Sequence, residues 1–258
     1  MKTITIEKDD RGVAVLALTQ ADKHNALSPD MLAELTEAAT ELGADDSVRV
    51  VVLTGTGASF CAGGDLGWMK AQMNATREER MDGARVLAHM LRALNELPKP
   101  LIGRVQGNAF GGGVGLISVC DVAIAAEGAK LALTETRLGL IPATISPYVI
   151  ARMGEGMARR VFMSSRVFEA AEAKALGLVA KSVIPEHLDL AIEAEIKPYL
   201  KTAPSAVAAA KALARSLGPV IDDAVIERTI EALADTWETP EAMEGISAFF
   251  EKRNPGWP

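Results

Sequence analysis

The chain has 258 residues, with 27 basic and 34 acidic side chains and a formal net charge of −7. That length buries a sizeable core as one large or two smaller domains. Its acidity disfavours non-specific partnership with nucleic acid or an anionic membrane. No apolar stretch approaches the roughly 20 residues of a membrane span, and the N-terminus lacks the apolar core of a signal peptide. Cys61 and Cys120 show no CxxC or metal spacing, so the expectation is a cytoplasmic protein with reduced thiols.

In chain order, residues 3–7 alternate apolar and polar as a half-buried strand does, and residues 13–18 form its hairpin partner across Asp9-Asp10-Arg11-Gly12. Ser28 and Pro29 supply an N-cap and a first helical position for a helix to about residue 42. Residues 49–54 read as a buried strand, and residues 77–97 as a long amphipathic helix stopped by Pro98 and Pro100. A strand at 101–105, a helix at 114–120, a strand at 122–125 and a short apolar piece at 131–133 follow. From Pro147 onward only helices are expected, at 148–153, 157–163, 169–176, 185–200, 205–216, 220–237 and 241–253. No repeat with a clear period is visible. The organisation is an α/β core over residues 1–200 followed by a helical region over 201–258.

Two glycine-rich corners stand out. Gly111-Gly112-Gly113 separates an apolar strand-like segment from a helix, and Cys61-Ala62-Gly63-Gly64-Asp65 follows the apolar run at 50–54. Each brings backbone N–H groups to a strand-to-helix corner with no side chain in the way of a ligand. Two facing corners make an oxyanion hole of the kind acyl-thioester chemistry needs. Nucleotide-binding and hydrolase motifs fail: residues 107–115 do not satisfy GxGxxG, and no P-loop or GxSxG elbow is present. His24, His89 and His187 are scattered without paired-ligand spacing, so no metal is expected. The remaining candidate is Glu135, flanked by apolar residues, a setting that desolvates a carboxylate and raises its pKa. A surface glutamate paired with Arg137 is the alternative.

The order of Asn25-Ala26-Leu27, Phe60-Cys61-Ala62-Gly63-Gly64-Asp65-Leu66, Gln106-Gly107-Asn108-Ala109-Phe110-Gly111-Gly112-Gly113, Cys120-Asp121-Val122 and Glu135 onward to Pro142 resembles the crotonase, or enoyl-CoA hydratase/isomerase, superfamily over nearly the whole chain. The resemblance implies a spiral of ββα units with a C-terminal helical trimerisation region, assembled as a homotrimer or a dimer of trimers. It implies an acyl-CoA thioester as substrate and no separate cofactor, coenzyme A being part of that substrate. It places the oxyanion hole on the amides of Gly64 and Gly112 and the acid/base on Glu135. It puts Lys23, Ala62, Gly63 and Gly111 among the residues meeting coenzyme A or the thioester. Leu66 is expected on the acyl pocket with Trp68 and Met69. Asp65 belongs to the same substrate-contacting set and is also the expected N-cap of the segment it begins. His89 and Asp121 are expected to be structural.

Two departures matter. The two-glutamate hydratases of the family carry a second carboxylate where this chain has Gly115. The glycine-rich turn after Ile-Pro is replaced by Ala143-Thr144-Ile145-Ser146-Pro147, which resembles the bacterial methylglutaconyl-CoA hydratase subgroup. The expected activity is hydration of an α,β-unsaturated acyl-CoA such as methylglutaconyl-CoA, with Thr144, Ser146 or the substrate's own carboxylate positioning the water. A single-glutamate Δ3,Δ2-enoyl-CoA isomerase is the enzymatic alternative. A non-catalytic acyl-CoA or RNA binder is the other, against which the net charge speaks.

Overall fold

A computed structural model describes residues 1–257. Strand β1 (Ile4–Lys8) pairs antiparallel with β2 (Val13–Leu18). The connecting turn closes on Asp9, whose Oδ1 accepts from the amides of Arg11 and Val13, and on Gly12 at φ 81°. Helix α1 (Pro29–Ala44) starts where Ser28 Oγ accepts from the Met31 amide, as its sequence demands. Strand β3 (Val50–Gly55) is followed by β4 (Ser59–Cys61) and the short helix α2 (Leu66–Gln72). Helix α3 (Arg77–Glu96) opens on a capping box between Thr76 and Glu79. Strands β5 (Leu101–Val105) and β6 (Asn108–Phe110) then precede α4 (Gly112–Val119). Strands β7 (Val122–Ala126) and β8 (Lys130–Ala132) lead to a single 3-10 turn, Glu135–Leu138.

The remainder comprises α5 (Ser146–Met153), α6 (Glu155–Phe162), β9 (Phe168–Glu169), α7 (Ala170–Ala175), β10 (Lys181–Val183), α8 (Leu188–Tyr199), α9 (Pro204–Ser216), α10 (Asp223–Trp237) and α11 (Pro240–Phe250).

The strands form a six-stranded sheet in the order β1-β2-β3-β5-β7-β10 and a four-stranded sheet in the order β4-β6-β8-β9. Apart from β1 and β9, neighbouring strands run parallel. Three successive segments, β3-β4, β5-β6 and β7-β8, therefore each place one strand in each sheet before a helical return. This is the expected spiral of ββα units, a repeat of structure that leaves no period in the sequence.

One face of the larger sheet packs on α1, α3 and α4 in the main core. The other meets α8, where Val50, Val52, Ile102 and Ile124 bury Ile192 and Ile196. A strand covered on both faces reads as a continuous apolar run, which is why the strand at 49–54 was visible in the sequence.

Three expectations are corrected. The strands do not stop before Pro147: β9 pairs with β8 and β10 with β7, the latter extending the large sheet. Nor do the glycine corners terminate the long strands β3 and β5. A second, three-residue strand intervenes each time; before the later one, Gly107 packs so closely that an added Cβ would stand 2.1 Å from the Ala58 carbonyl oxygen. The long C-terminal helix expected from residue 185 begins as a 3-10 turn, Pro185–His187, and only then becomes α8.

Helix α10 packs Ile226 and Ile230 against Ala84 and Ala88 of α3. Helix α11 lies directly on the 3-10 turn: a Cβ added at Gly245 would meet Leu138 backbone atoms at 2.5 Å.

Candidate active site

Strands β4, β6 and β8 are parallel neighbours, with Ser59 paired to Asn108 and Phe110 to Ala132. Their C-terminal ends therefore lie along one edge of the small sheet. Residues just past those ends are Ala62 to Asp65, Gly111 to Gly113, and Leu133 to Glu135. Sheet topology alone thus delivers two glycine corners and one carboxylate to the same place, the usual position of ligands in parallel sheets.

The first corner is pinned by the loop before α1. Leu27 forms a parallel bridge with Gly64, donating its amide to Gly63 O at 2.7 Å and accepting from the Asp65 amide at 3.2 Å. That pattern uses the groups of residues 63 and 65 and leaves the Gly64 amide free. Nothing lies within 4 Å of a Cβ added at Gly64, so its surroundings are open. The second corner is the start of α4. Gly111 takes φ 48° and ψ −112°, a conformation only glycine adopts readily. As the first residue of the helix, Gly112 has an amide with no carbonyl to reach, at the positive end of the helix dipole. The corners touch: a Cβ added at Gly63 would lie 2.9 Å from Phe110 O and 3.6 Å from the Gly112 nitrogen.

Gly113 is where the two corners interlock most tightly, since an added Cβ would sit 2.3 Å from Cys61 O. We expect Gly113→Ala to lower the urea-unfolding free energy by about 1–3 kcal/mol in spite of alanine's better helix propensity. At Gly64 the same substitution should cost under about 0.5 kcal/mol. Equal losses at the two positions would refute this packing.

Glu135 begins the 3-10 turn after β8. Its Oε1 faces Gly111, where a Cβ would approach to 2.9 Å, and its Oε2 is buried with no hydrogen-bond partner. Burial pushes its carboxyl up to about 7, with the backbone groups of residues 135 and 134 offsetting only part of the effect. The alternative of a surface Glu135–Arg137 pair does not hold: Arg137 forms no ion pair with Glu135 among the described residues.

These groups line one cavity of about 410 Å³. Of the residues assigned from the sequence, it receives Ala62, Gly63, Gly64, Leu66, Gly111, Gly112, Glu135 and Thr144, together with Trp68 and Met69. Lys23 and Asp65 are not on its wall. Lys23 is exposed on a 3-10 turn, Ala21–Lys23. Asp65 caps α2, its Oδ1 accepting from the Trp68 amide at 2.9 Å. Ser146 is also absent from the wall, since its hydroxyl donates to Ala143 O at 2.6 Å. The Thr144 side chain engages no protein group among the described residues.

Cys61 is buried, and burial pushes its thiol up to about 12, so it is inert. Asp121 is structural, accepting from the Leu101 amide and pairing with Lys211 at 2.8 Å.

Three further contributions lay outside the sequence reasoning. Asn25 holds the first corner: its Nδ2 lies within 3.2 Å of the carbonyls of Thr56, Ser59 and Phe60. Its only signal was a place in a recognisable motif. Ile145 fills the space beside Gly115, where an added Cβ would meet its Cγ2 at 2.5 Å. Leu233, Trp237 and Phe249, from α10 and α11, close the cavity more than 90 residues downstream of Glu135.

The family model described as enoyl-CoA hydratase/isomerase matches residues 8–258. The mitochondrial methylglutaconyl-CoA hydratase of Mus musculus is 34% identical over 263 residues, covering 97% of this chain and 81% of its own. The crotonyl-CoA hydratase of Syntrophomonas wolfei is 32% identical over 254 residues, covering 98% of this chain and 96% of its own. A solved enoyl-CoA hydratase from Shewanella pealeana superposes with a TM-score of 0.81 at 38% identity, covering 99% and 96% of the two chains. The chain belongs to the enoyl-CoA hydratase/isomerase family.

Proposed function

We propose that this enzyme adds water across the α,β double bond of an enoyl-CoA thioester, and that its substrate is a branched dicarboxylic acyl group of the methylglutaconyl type. The observation that carries the reading is a buried, unpartnered Glu135 oxygen in the cavity that also receives the Gly64 and Gly112 amides. The thioester oxygen sits between those two amides, so charge developing on it meets donors already in place. Glu135, as carboxylate, takes a proton from water while the water oxygen bonds to the β carbon. The resulting enolate is held by the amides, and Glu135 returns the proton to the α carbon. The free hydroxyl of Thr144 holds the water in the role a second carboxylate plays in two-glutamate relatives.

The substrate class is supported by the relative named methylglutaconyl-CoA hydratase and by the Ala143 to Pro147 segment. Exposed Leu213, Leu217 and Val220 on and after α9 suit a contact between copies in a homotrimer. A compartment is read only as cytoplasmic from the cysteines; no helix among the described residues is long and apolar enough to cross a membrane.

A double-bond isomerase is the second reading, because Glu135 is the sole side-chain carboxylate on the cavity wall among the described residues. A screen over crotonyl-, methylcrotonyl-, methylglutaconyl- and 3-enoyl-CoA separates them. We expect methylglutaconyl-CoA to lose its conjugated absorbance and yield a product heavier by one water. Gain of that absorbance from 3-enoyl-CoA, with no hydration of any conjugated substrate, would replace hydratase by isomerase.

A further inference from the structure

The cavity wall carries two charged side chains, Glu135 and Arg137. Arg137 is exposed at residue level and has neither an ion pair nor a side-chain hydrogen bond among the described residues. Arg77, Arg85, Arg92, Arg166 and Arg253 each hold carboxylates. Arg80 donates to Gln72 O and stacks on Trp237. Arg228 is likewise unpaired but does not line the cavity, so among the described residues Arg137 is the unpaired cation on this wall.

Its base is fixed. The Arg137 amide donates to Ser165 Oγ at 3.1 Å, and the same oxygen lies 2.6 Å from Thr136 Oγ1. Helix α11 presses on the turn from the other side through Gly245 and Leu138. The turn is therefore held by its backbone and by Thr136, leaving the guanidinium uncommitted on a cavity that Leu66, Trp68, Met69, Leu138 and Leu140 also line. A planar fork beside apolar walls binds a carboxylate more strongly than it would in open water.

We propose that Arg137 binds a second carboxylate on the acyl chain and thereby sets a preference for dicarboxylic over monocarboxylic enoyl-CoA thioesters. This rests on the hydratase reading above and gives its substrate class a residue. Bound there, the carboxylate fixes the acyl group from its far end while the amides of Gly64 and Gly112 fix the thioester. The double bond is then held between the two fixed points, beside Glu135. A monocarboxylic analogue forgoes this charge-assisted contact, so the preference is read as a difference in kcat/KM between the two substrates.

The test compares kcat/KM for 3-methylglutaconyl-CoA and 3-methylcrotonyl-CoA, which differ by the carboxylate, in the wild type, Arg137→Lys and Arg137→Gln. Acetyl-CoA serves in each as a competitive inhibitor reporting on coenzyme A binding. We expect Arg137→Gln to lower the dicarboxylic preference roughly 10- to 100-fold, mainly through KM, and Arg137→Lys to lower it less. A wild-type preference that neither variant moves overturns the role of Arg137 while sparing the substrate class. Equal losses on both thioesters, with weaker inhibition by acetyl-CoA, mean that the guanidinium holds a phosphate of coenzyme A, and also overturn the proposal. A wild type that hydrates methylcrotonyl-CoA but not methylglutaconyl-CoA refutes the substrate class itself, and the arginine's role with it.

Discussion

Glu135→Gln should lower kcat for enoyl-CoA hydration by about 10²- to 10⁴-fold, the usual worth of a positioned acid/base. The amide keeps the shape of the side chain beside Gly111 but cannot accept and return a proton. The same substitution should act on stability in the opposite sense, with a pH dependence that identifies the cause. In the fold the carboxyl is pushed from 4.5 up to about 7. Below pH 4.5 it is protonated in both folded and unfolded chains and contributes nothing. Between 4.5 and 7 the unfolded chain releases the proton while the folded one keeps it, so rising pH favours unfolding. Above 7 the penalty is complete, at about 3 kcal/mol. The difference in unfolding free energy between wild type and Glu135→Gln should therefore change by about 3 kcal/mol between pH 4 and pH 8, in favour of the variant at high pH. In the wild type, kcat/KM should rise with pH through about 7, because the free enzyme needs the carboxylate. A flat pH profile, or a variant with near-normal turnover, would remove Glu135 from the chemistry.

What was legible in the sequence follows from length and local chemistry. The corners could be read because Gly63 and Gly111 must adopt positive φ, at 90° and 48°, and a glycine requirement shows in composition. Helix starts at Ser28, Thr76 and Asp65 are written in capping residues a few positions long. Strands β4 and β6 were not legible: Ser59–Cys61 and Asn108–Phe110 have three residues each, too few for alternation to register. Yet the pairing of these two strands with β8 is what brings Gly64, Gly112 and Glu135 together. The convergence of the site thus depends on contacts between residues about 20 to 50 positions apart, for which no local pattern speaks. The closure of the cavity by Trp237 and Phe249 is remoter still. Their apolar character reads equally well as ordinary helix packing until α11 is seen to rest on the turn that carries Glu135.

The two departures from the family pattern, which looked independent in the sequence, are one feature in space. Gly115 lies on α4, and Ile145 is the middle residue of the segment that replaces the glycine-rich turn. A Cβ at residue 115 would stand 2.5 Å from Ile145 Cγ2, 3.1 Å from its Cβ and 3.6 Å from Leu91 Cδ2. Ile145 is buried and lines the cavity, so yielding to a side chain at residue 115 would push it into the substrate space. Restoring the missing carboxylate by Gly115→Glu alone should therefore fail. Overpacking costs about 1–3 kcal/mol, and a carboxylate forced among Ile145 and Leu91 adds a desolvation cost. We expect a loss of at least about 3 kcal/mol in urea unfolding, with turnover falling at least roughly tenfold as α4 and the Gly112 amide shift. Ile145→Gly by itself opens a cavity and should also destabilise, by about 2–5 kcal/mol. In the double variant the two changes fill and vacate the same space. The combined loss should then be smaller than the sum by about 1–3 kcal/mol, a coupling expected only of residues in contact. Strict additivity, or a Gly115→Glu protein as stable as the wild type, would mean that Ile145 does not hold the second glutamate's place.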